Sequence, residues 1–378
     1  MKTSSIVSVV FCIFSLSLAL PVPALEKSKP KPKDAPDATI VDPNAIYGLS
    51  GPYTHQNLSI CLVEDKKQSG SDKDYLTLQE ALEKKLVTVV ETGSVGNLTI
   101  INHAENVNIF IQSGDIVKGG RQDRTIQYDY VLTPQQKELS LNSFCVEHGR
   151  WSKRGEEAGD KFSSSTDRLS SRELQVAARY EGNQSRVWQE VKSDQEKLSK
   201  NVGQSVQSPQ SASSLQLTLE DKDLKEFINA YMEKLSPVVR DKTRPAGLVV
   251  AINGRFVSAD IYESEKLFIK LWDKLLRAAA VEAVAEYQKD KKYEGPTLEQ
   301  VKQFLSIQYV TGQKKVPIAG SSLMRIVETK DKVIFDTCSD SQSESKPVHR
   351  NYLYWDEKDQ SAAQEDKMSQ TQVQSTRK

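Results

Sequence analysis

"GLVVAINGRFVSADIY", residues 247–262, is the stretch whose reading decides the fold. Two β-rich, apolar runs flank Asn253-Gly254. A two-residue hairpin turn needs positive φ at both central positions, and Asn and Gly tolerate that best. The segment predicts a tight antiparallel hairpin. Directly behind it, Ser264 opens a long helix. Leu267, Phe268, Leu271, Trp272, Leu275 and Leu276 give that helix a broad apolar stripe, and "AAAVEAVAEY" (278–287) extends it with small side chains that allow close packing. A stripe this wide needs a sheet to cover it, so 246–287 predicts a hairpin and helix sharing a core with the strands before them.

Those earlier strands are legible. "YLTLQEALEKKL" (75–86) reads as a short helix with Thr77 as N-cap and Glu80 closing a capping box. "LVTVVET", "NLTIIN", "VNIFIQ", "TIQYDYVL" and "LSLNSFCVE" follow, β-branched and partly alternating, so 86–147 reads as a mostly antiparallel β unit. Helical composition returns in "SRELQVAARY" and "QSRVWQEVKSDQEKL". A Ser/Gln loop spans 201–214, and a periodic helix then starts behind Thr218 as N-cap. A short helix at "TLEQVKQFL" and a hairpin turning at Lys330-Asp331 close the pattern. Strands grouped early and helices late predict an α+β class: a mostly antiparallel, β-rich N-terminal half and a hairpin plus long-helix C-terminal half, one domain over 47–338.

The ends read differently. Residues 6–20 are apolar behind Lys2, and Val22 and Ala24 make a small-x-small cleavage pattern, so 1–24 reads as a signal peptide. An uncleaved anchor is the competing reading, and the stretch falls short of the roughly 20 apolar residues it needs. Residues 25–46 are Lys/Pro-rich and read as a disordered linker. Residues 339–378 read as a disordered tail in which only "YLYW" (352–355) could dock. The mature chain is then secreted or periplasmic, with no membrane span after cleavage. Lys plus Arg equal Asp plus Glu at 51 each, which argues against a nucleic-acid partner. With Cys12 in the signal, Cys61, Cys145 and Cys338 remain in a disulfide-permissive compartment, and the expectation is one pair plus one buried thiol.

Familiar catalytic devices are missing. Gly119-Gly120 lacks a Walker lysine and dinucleotide-fingerprint spacing, and no G-x-S-x-G or H-E-x-x-H occurs. Four histidines at 55, 103, 148 and 349 are scattered. Cys145-x-x-His148 has ligand-like spacing but no further partners, so neither a metal nor a cofactor is expected.

What remains is "GGRQDR" (119–124) and "CVEHGRW" (145–151). What reads as one hairpin separates them, beginning just after Arg124 and ending near Glu147, so both can lie at the same end of it. Gly119, Gly120, Arg121, Gln122, Asp123, Arg124, Glu147, Arg150 and Trp151 are thus the candidate ligand site. The arginines offer planar forks for phosphate or carboxylate, the glycine turn offers backbone N–H groups, and Trp151 offers a stacking face. In the competing reading Asp123 and Glu147 merely neutralise the arginines and pin a corner. The paired glycines tip the balance towards a site, because a corner held only by ion pairs would not need them. Asp123 and Glu147 are the catalytic candidates, but arginine pairing lowers a carboxylate's pKa and makes a poorer base. The expectation is therefore a non-catalytic module for an anionic small molecule. A hydrolase acting on a phosphorylated or nucleotide-sugar substrate is the alternative.

The ordered string "LTLQEAL", "GDIVKGGRQDR", "CVEHGRW", "VWQEV" and "INGRFVSADIYESEKLFIKLWDKLL" resembles a family of uncharacterised, mainly bacterial proteins. They are named for their association with ADP-ribosylglycohydrolases and rhodanese-phosphatase proteins. The resemblance covers roughly residues 47–286. It implies ADP-ribose or nucleotide-related ligands. The export signal, the Ser/Gln loop and the tail set this chain apart, and an extracellular address weakens an ADP-ribose role.

Overall fold

The computed structural model describes residues 46–67, 70–319, 322–339 and 347–355. The expected signal peptide, nearly all of the linker and most of the tail lie outside these residues.

Strands β1 (Tyr47–His55) and β2 (Leu58–Asp65) form the first hairpin. β3 (Tyr75–Thr77) leads into helix α1 (Leu78–Glu83). Its capping box is the expected one: Thr77 Oγ1 accepts from the Glu80 N–H at 3.2 Å, and the Thr77 N–H donates to Glu80 Oε2 at 2.8 Å. Strands β4 (Val87–Glu91), β5 (Asn97–Asn102), β6 (Asn108–Ile111), β7 (Asp115–Gly119), β8 (Arg124–Ile126), β9 (Tyr130–Leu132), β10 (Glu138–Cys145) and β11 (Phe162–Arg168) complete the N-terminal half. This half is β-rich, as expected, and the class is α+β.

Six of these strands make one sheet in the order β11-β7-β8-β10-β5-β4. Its two edges meet. Val90 bridges Lys161, and the Glu91 N–H donates to the Asp160 carbonyl at 3.0 Å, so the sheet curls towards closure and loses exposed edges. Val89, Leu98, Ile100, Val117, Ile126 and Leu141 belong to one buried cluster on this sheet. β8 and β10 pair at Arg124↔Cys145, which brings the two motifs to one end as expected. The link between them is not one hairpin, however. β9 leaves to pair with β6, which also runs parallel to β3.

Helix α2 (Arg172–Gln175) runs into a π-turn over Val176–Glu181 that ends at Gly182 in the left-handed region (φ 65°). Helix α3 (Gln184–Val202) follows, then α4 (Leu215–Leu219) and α5 (Lys222–Leu235). The expected Thr218 cap is corrected here: Thr218 lies inside α4, and Asp221 caps α5, accepting from the N–H groups of Asp223 and Leu224. One periodic run hides two helices, because polar Asp221 breaks the backbone ladder while the apolar spacing continues.

β12 (Pro245–Ile252) and β13 (Arg255–Tyr262) flank Asn253 (φ 54°) and Gly254 (φ 76°), the turn that the sequence demands. Helix α6 (Glu265–Ala285) and helix α7 (Leu298–Leu305) precede β14 (Gly312–Pro317), β15 (Leu323–Glu328), β16 (Lys332–Cys338) and β17 (His349–Tyr354). The large sheet runs β1-β2-β12-β13-β17-β16-β15-β14. Leu267, Phe268, Leu271, Leu275 and Leu276 of α6 join Leu62, Leu248 and Val250 of the sheet in one buried cluster, each side chain contributing about 1.5–3 kcal/mol. Val301, Phe304 and Leu305 of α7 cluster with Val63, Val249 and Ile261.

Two expectations are corrected. The fold does not stop at Cys338, since β17 is an interior strand between β13 and β16. Its first residues, His349, Arg350 and Asn351, are polar yet buried, so hydropathy misreads them as tail. Cys61, Cys145 and Cys338 are all buried, and no disulfide joins them to one another. Among the described residues, no helix is long and apolar enough to cross a membrane, and no group of three or more His, Cys, Asp or Glu could hold a metal ion.

Candidate functional site

The motif pair forms a knot at the seam of the six-stranded sheet. Asp123 accepts two bonds from Arg154 (2.8 and 3.1 Å), one from the Ser214 hydroxyl (2.8 Å) and one from the Gly119 N–H (3.0 Å). Glu147 takes a two-pronged bond from Arg150 (2.7 Å on each oxygen) and the Asp123 N–H (3.1 Å). Gln122 donates to the Glu147 carbonyl at 2.9 Å. Arg124, fully buried, bonds Glu91 (3.1 Å), the Val95 carbonyl (2.9 Å) and the Cys145 sulfur.

Most of the predicted site residues are therefore brought together and turned inward on one another. Asp123 and Glu147 have no exposed surface, and Arg150 holds Glu147 below the usual carboxylate range despite its burial. Neither is placed to work as a base on a ligand. The glycines answer to packing. Both have positive φ (118° and 54°), and a Cβ on Gly120 would lie 2.4 Å from Phe162 Cζ. The inference from glycine to ligand is thus corrected, because the small residues let β11 close over the turn. Only Arg121 and Trp151 face outward, and the Arg124 guanidinium lies 5.9 Å from the Trp151 ring centre. Arg154 and Glu91, which complete the knot, carry no motif and were invisible in the sequence.

A second charged assembly lies in the core. His349 Nδ1 is 2.9 Å from Asp129 and its Nε2 is 2.9 Å from Asp260. Asp129 also takes Arg179 Nη2 (2.8 Å), the Thr337 hydroxyl (2.7 Å) and the Ser113 N–H (2.7 Å). The π-turn places Arg179 here, with its guanidinium over Phe335. Asn351 donates to Asp260 at 3.1 Å and Arg168 approaches it at 4.0 Å. All of these side chains are buried, and they tie β17 to β13, β16 and the segments around β9.

An open polar concavity lies elsewhere, where the β12–β13 turn meets the end of α6. Asparagine side chains satisfy the last carbonyls of that helix: Asn57 donates to Ala283 (2.9 Å), Asn201 to Val284 and Ala285 (2.8 Å each), and Asn253 to Glu286 (2.9 Å). A cleft of about 300 Å³ opens beside them, with Arg172, Arg255 and Lys291 as its cations, Glu282 as its buried acid and Tyr293 and Tyr354 as aromatic walls. Glu282 accepts the Arg172 N–H at 3.0 Å. Burial and the neighbouring Glu173 and Asp194 carboxylates push its pKa well above the ordinary carboxylate range. Asp194, buried beneath and bonded to Ser171 (2.7 Å), is pushed up to about 7, chiefly by burial.

The charges at the rim are unequal. Arg172 already bonds Glu173 (2.6 Å) and the Tyr354 carbonyl (3.2 Å), and Lys197 pairs Glu286 (2.7 Å). Arg255 and Lys291 are exposed and make no ion pair among the described residues. Glu173 and Glu286 also line the cleft but are taken up by Arg172 and Lys197, so it presents two cations with no ion pair, the buried Glu282 carboxyl and aromatic faces. Sequence reasoning missed it. Its one trace is Glu282, an acid set among alanines and valines on the buried face of α6.

A model of the ARG and Rhodanese-Phosphatase-superfamily-associated Protein domain matches residues 47–352. The match spans most of the chain, and the chain belongs to this family. It reaches into β17, in keeping with that strand's interior place in the sheet. No curated protein and no solved structure matches.

Proposed function

We infer that this member of the ARG and Rhodanese-Phosphatase-associated family is a non-catalytic module that binds an anionic small molecule in the cleft beside the β12–β13 turn. The observation that carries this reading is the pair of exposed, unpaired cations, Arg255 and Lys291, on the rim of a concavity with aromatic walls. Arginine offers a planar fork to phosphate or carboxylate, and an aromatic wall accepts the flat body of a nucleotide or sugar. The ligand class is the one expected from the arginines and glycines of the two motifs, and the unpaired cations support the hairpin tip over the knot at Arg124 as its place. The leader-like residues 1–24 support action after export, in a secreted or periplasmic setting.

One observation favours a hydrolase as the second reading. Glu282 is a buried carboxyl at the edge of a cleft, and burial and the nearby Glu173 and Asp194 carboxylates push its pKa well above the ordinary carboxylate range, the direction that a general acid needs. Isothermal titration of the mature chain with inorganic phosphate, sugar phosphates and nucleotides tests binding. Following the same mixtures for product formation tests turnover. Binding that Arg255→Ala removes supports the first reading, and turnover that Glu282→Gln removes supports the second. No binding by any of these anions would sink both.

A further inference from the structure

The cleft has a neighbour. A hollow of about 480 Å³, lined by Gly254 of the same turn, shares Arg255, Phe256 and Tyr354 with it. These three side chains form a ridge between two concavities, and together the pair falls in the size range of ordinary ligand sites. The two sides differ in chemistry. The cleft side adds Lys291 to the shared Arg255. The far side is built from Phe304, the amides of Gln300 and Gln303, and the carboxylate of Asp331. The Phe256 and Phe304 rings stack there at 4.6 Å and 8°. Gln303 is exposed, and its side chain makes no hydrogen bond among those found for the described residues.

Amides and a carboxylate over an aromatic floor suit a neutral, hydroxyl-bearing ring. The Asp331 carboxylate is already paired with Lys332 (3.1 and 3.3 Å), so it offers acceptors to hydroxyls but no net charge, and an anionic ligand is oriented with its charge on the Arg255–Lys291 side. Resting on the anion-binding reading above, we propose that the ligand is an anionic carbohydrate. Its charged group lies between Arg255 and Lys291, and its uncharged sugar crosses the Phe256–Tyr354 ridge into the second hollow. The charge can be a phosphoryl group or a uronate carboxylate, since both fit the same cations.

Calorimetry of the mature chain with four probes tests this: inorganic phosphate, a neutral disaccharide, the same disaccharide as its monophosphate, and a disaccharide ending in a uronate. At least one charged disaccharide should bind tenfold or more tighter than phosphate, and whichever wins names the charged group. Gln303→Ala, at an exposed position, should erase that gain and leave phosphate affinity unchanged. Phosphate binding with no gain from the attached sugar, or a gain indifferent to Gln303→Ala, would overturn the two-part ligand while leaving the anion site standing. If every charged probe fails to bind, or binds equally to Arg255→Ala, the anion-site reading itself falls.

Discussion

The side-chain amide of Asn253 donates to the carbonyl of Glu286 at 2.9 Å, so the tip of the β12–β13 hairpin holds the end of α6. The same asparagine takes the φ of 54° that the turn requires and accepts from Asn57 at 3.1 Å. One residue thus shapes the turn, caps the helix and sets one wall of the cleft. Asn253→Gly keeps the turn and removes the cap. It removes both side-chain hydrogen bonds and should cost about 1–3 kcal/mol in urea unfolding, at about 0.5–1.5 kcal/mol for each. Asn253→Ala adds left-handed strain of about 1 kcal/mol or more and should be the worse variant. Equal stability of the two would show that the turn conformation does not matter here.

The knot at Arg124 is a test of burial. Arg124→Ala strands Glu91 beside a closed seam and should destabilise the fold by about 3–5 kcal/mol. Arg121→Ala, at an exposed neighbour, should stay within about 0.5 kcal/mol of wild type. Chemical denaturation of both checks this. Loss of anion binding in Arg121→Ala with unchanged stability would return the ligand site to the knot.

The core network makes stability depend on pH in a stated direction. Asp129 and Asp260 face His349, hold its proton and raise its pKa above the ordinary value, although burial alone would lower it. Arg179 and Arg168 are the other charges nearby, and the Tyr262 ring stacks on the imidazole at 4.4 Å. A raised folded-state pKa means that this contribution is complete below the ordinary histidine value and is lost as pH rises through the folded one. Asp129 behaves oppositely. Its pKa is depressed by Arg179 and His349, so its share is present above the ordinary carboxylate value and is lost in acid. Urea midpoints should therefore fall on the alkaline side in wild type, and His349→Gln should flatten that fall. A wild-type midpoint that rises through the same range would contradict the charged state of His349.

Export has its own readout. The intact mass of the native protein should lack residues 1–24, and a mass that includes them would rule out cleavage after Ala24.

The turn at Asn253-Gly254 and the cap at Thr77 were legible because each depends on neighbouring residues alone. The corner's membership was legible too, since charge density and strand order bring Arg121 to Trp151 near one another. Its meaning was not, because Gly120 answers to Phe162, 42 positions away in the chain, and Arg124 answers to Glu91. β17 was hidden for a related reason. His349, Arg350 and Asn351 read as solvent-facing until Asp129, Asp260 and Asp336 are found opposite them. The cleft gathers Arg172, Arg255, Glu282 and Lys291 from four separate segments, and no local spacing announces it.

The most direct test of the account is the phosphate or sugar-phosphate affinity of Arg255→Ala against Arg121→Ala, measured by calorimetry on the mature chain. Arg255→Ala should bind at least tenfold more weakly than wild type while Arg121→Ala binds as wild type does. Unchanged affinity in Arg255→Ala, or a loss confined to Arg121→Ala, would contradict a ligand site at the hairpin tip.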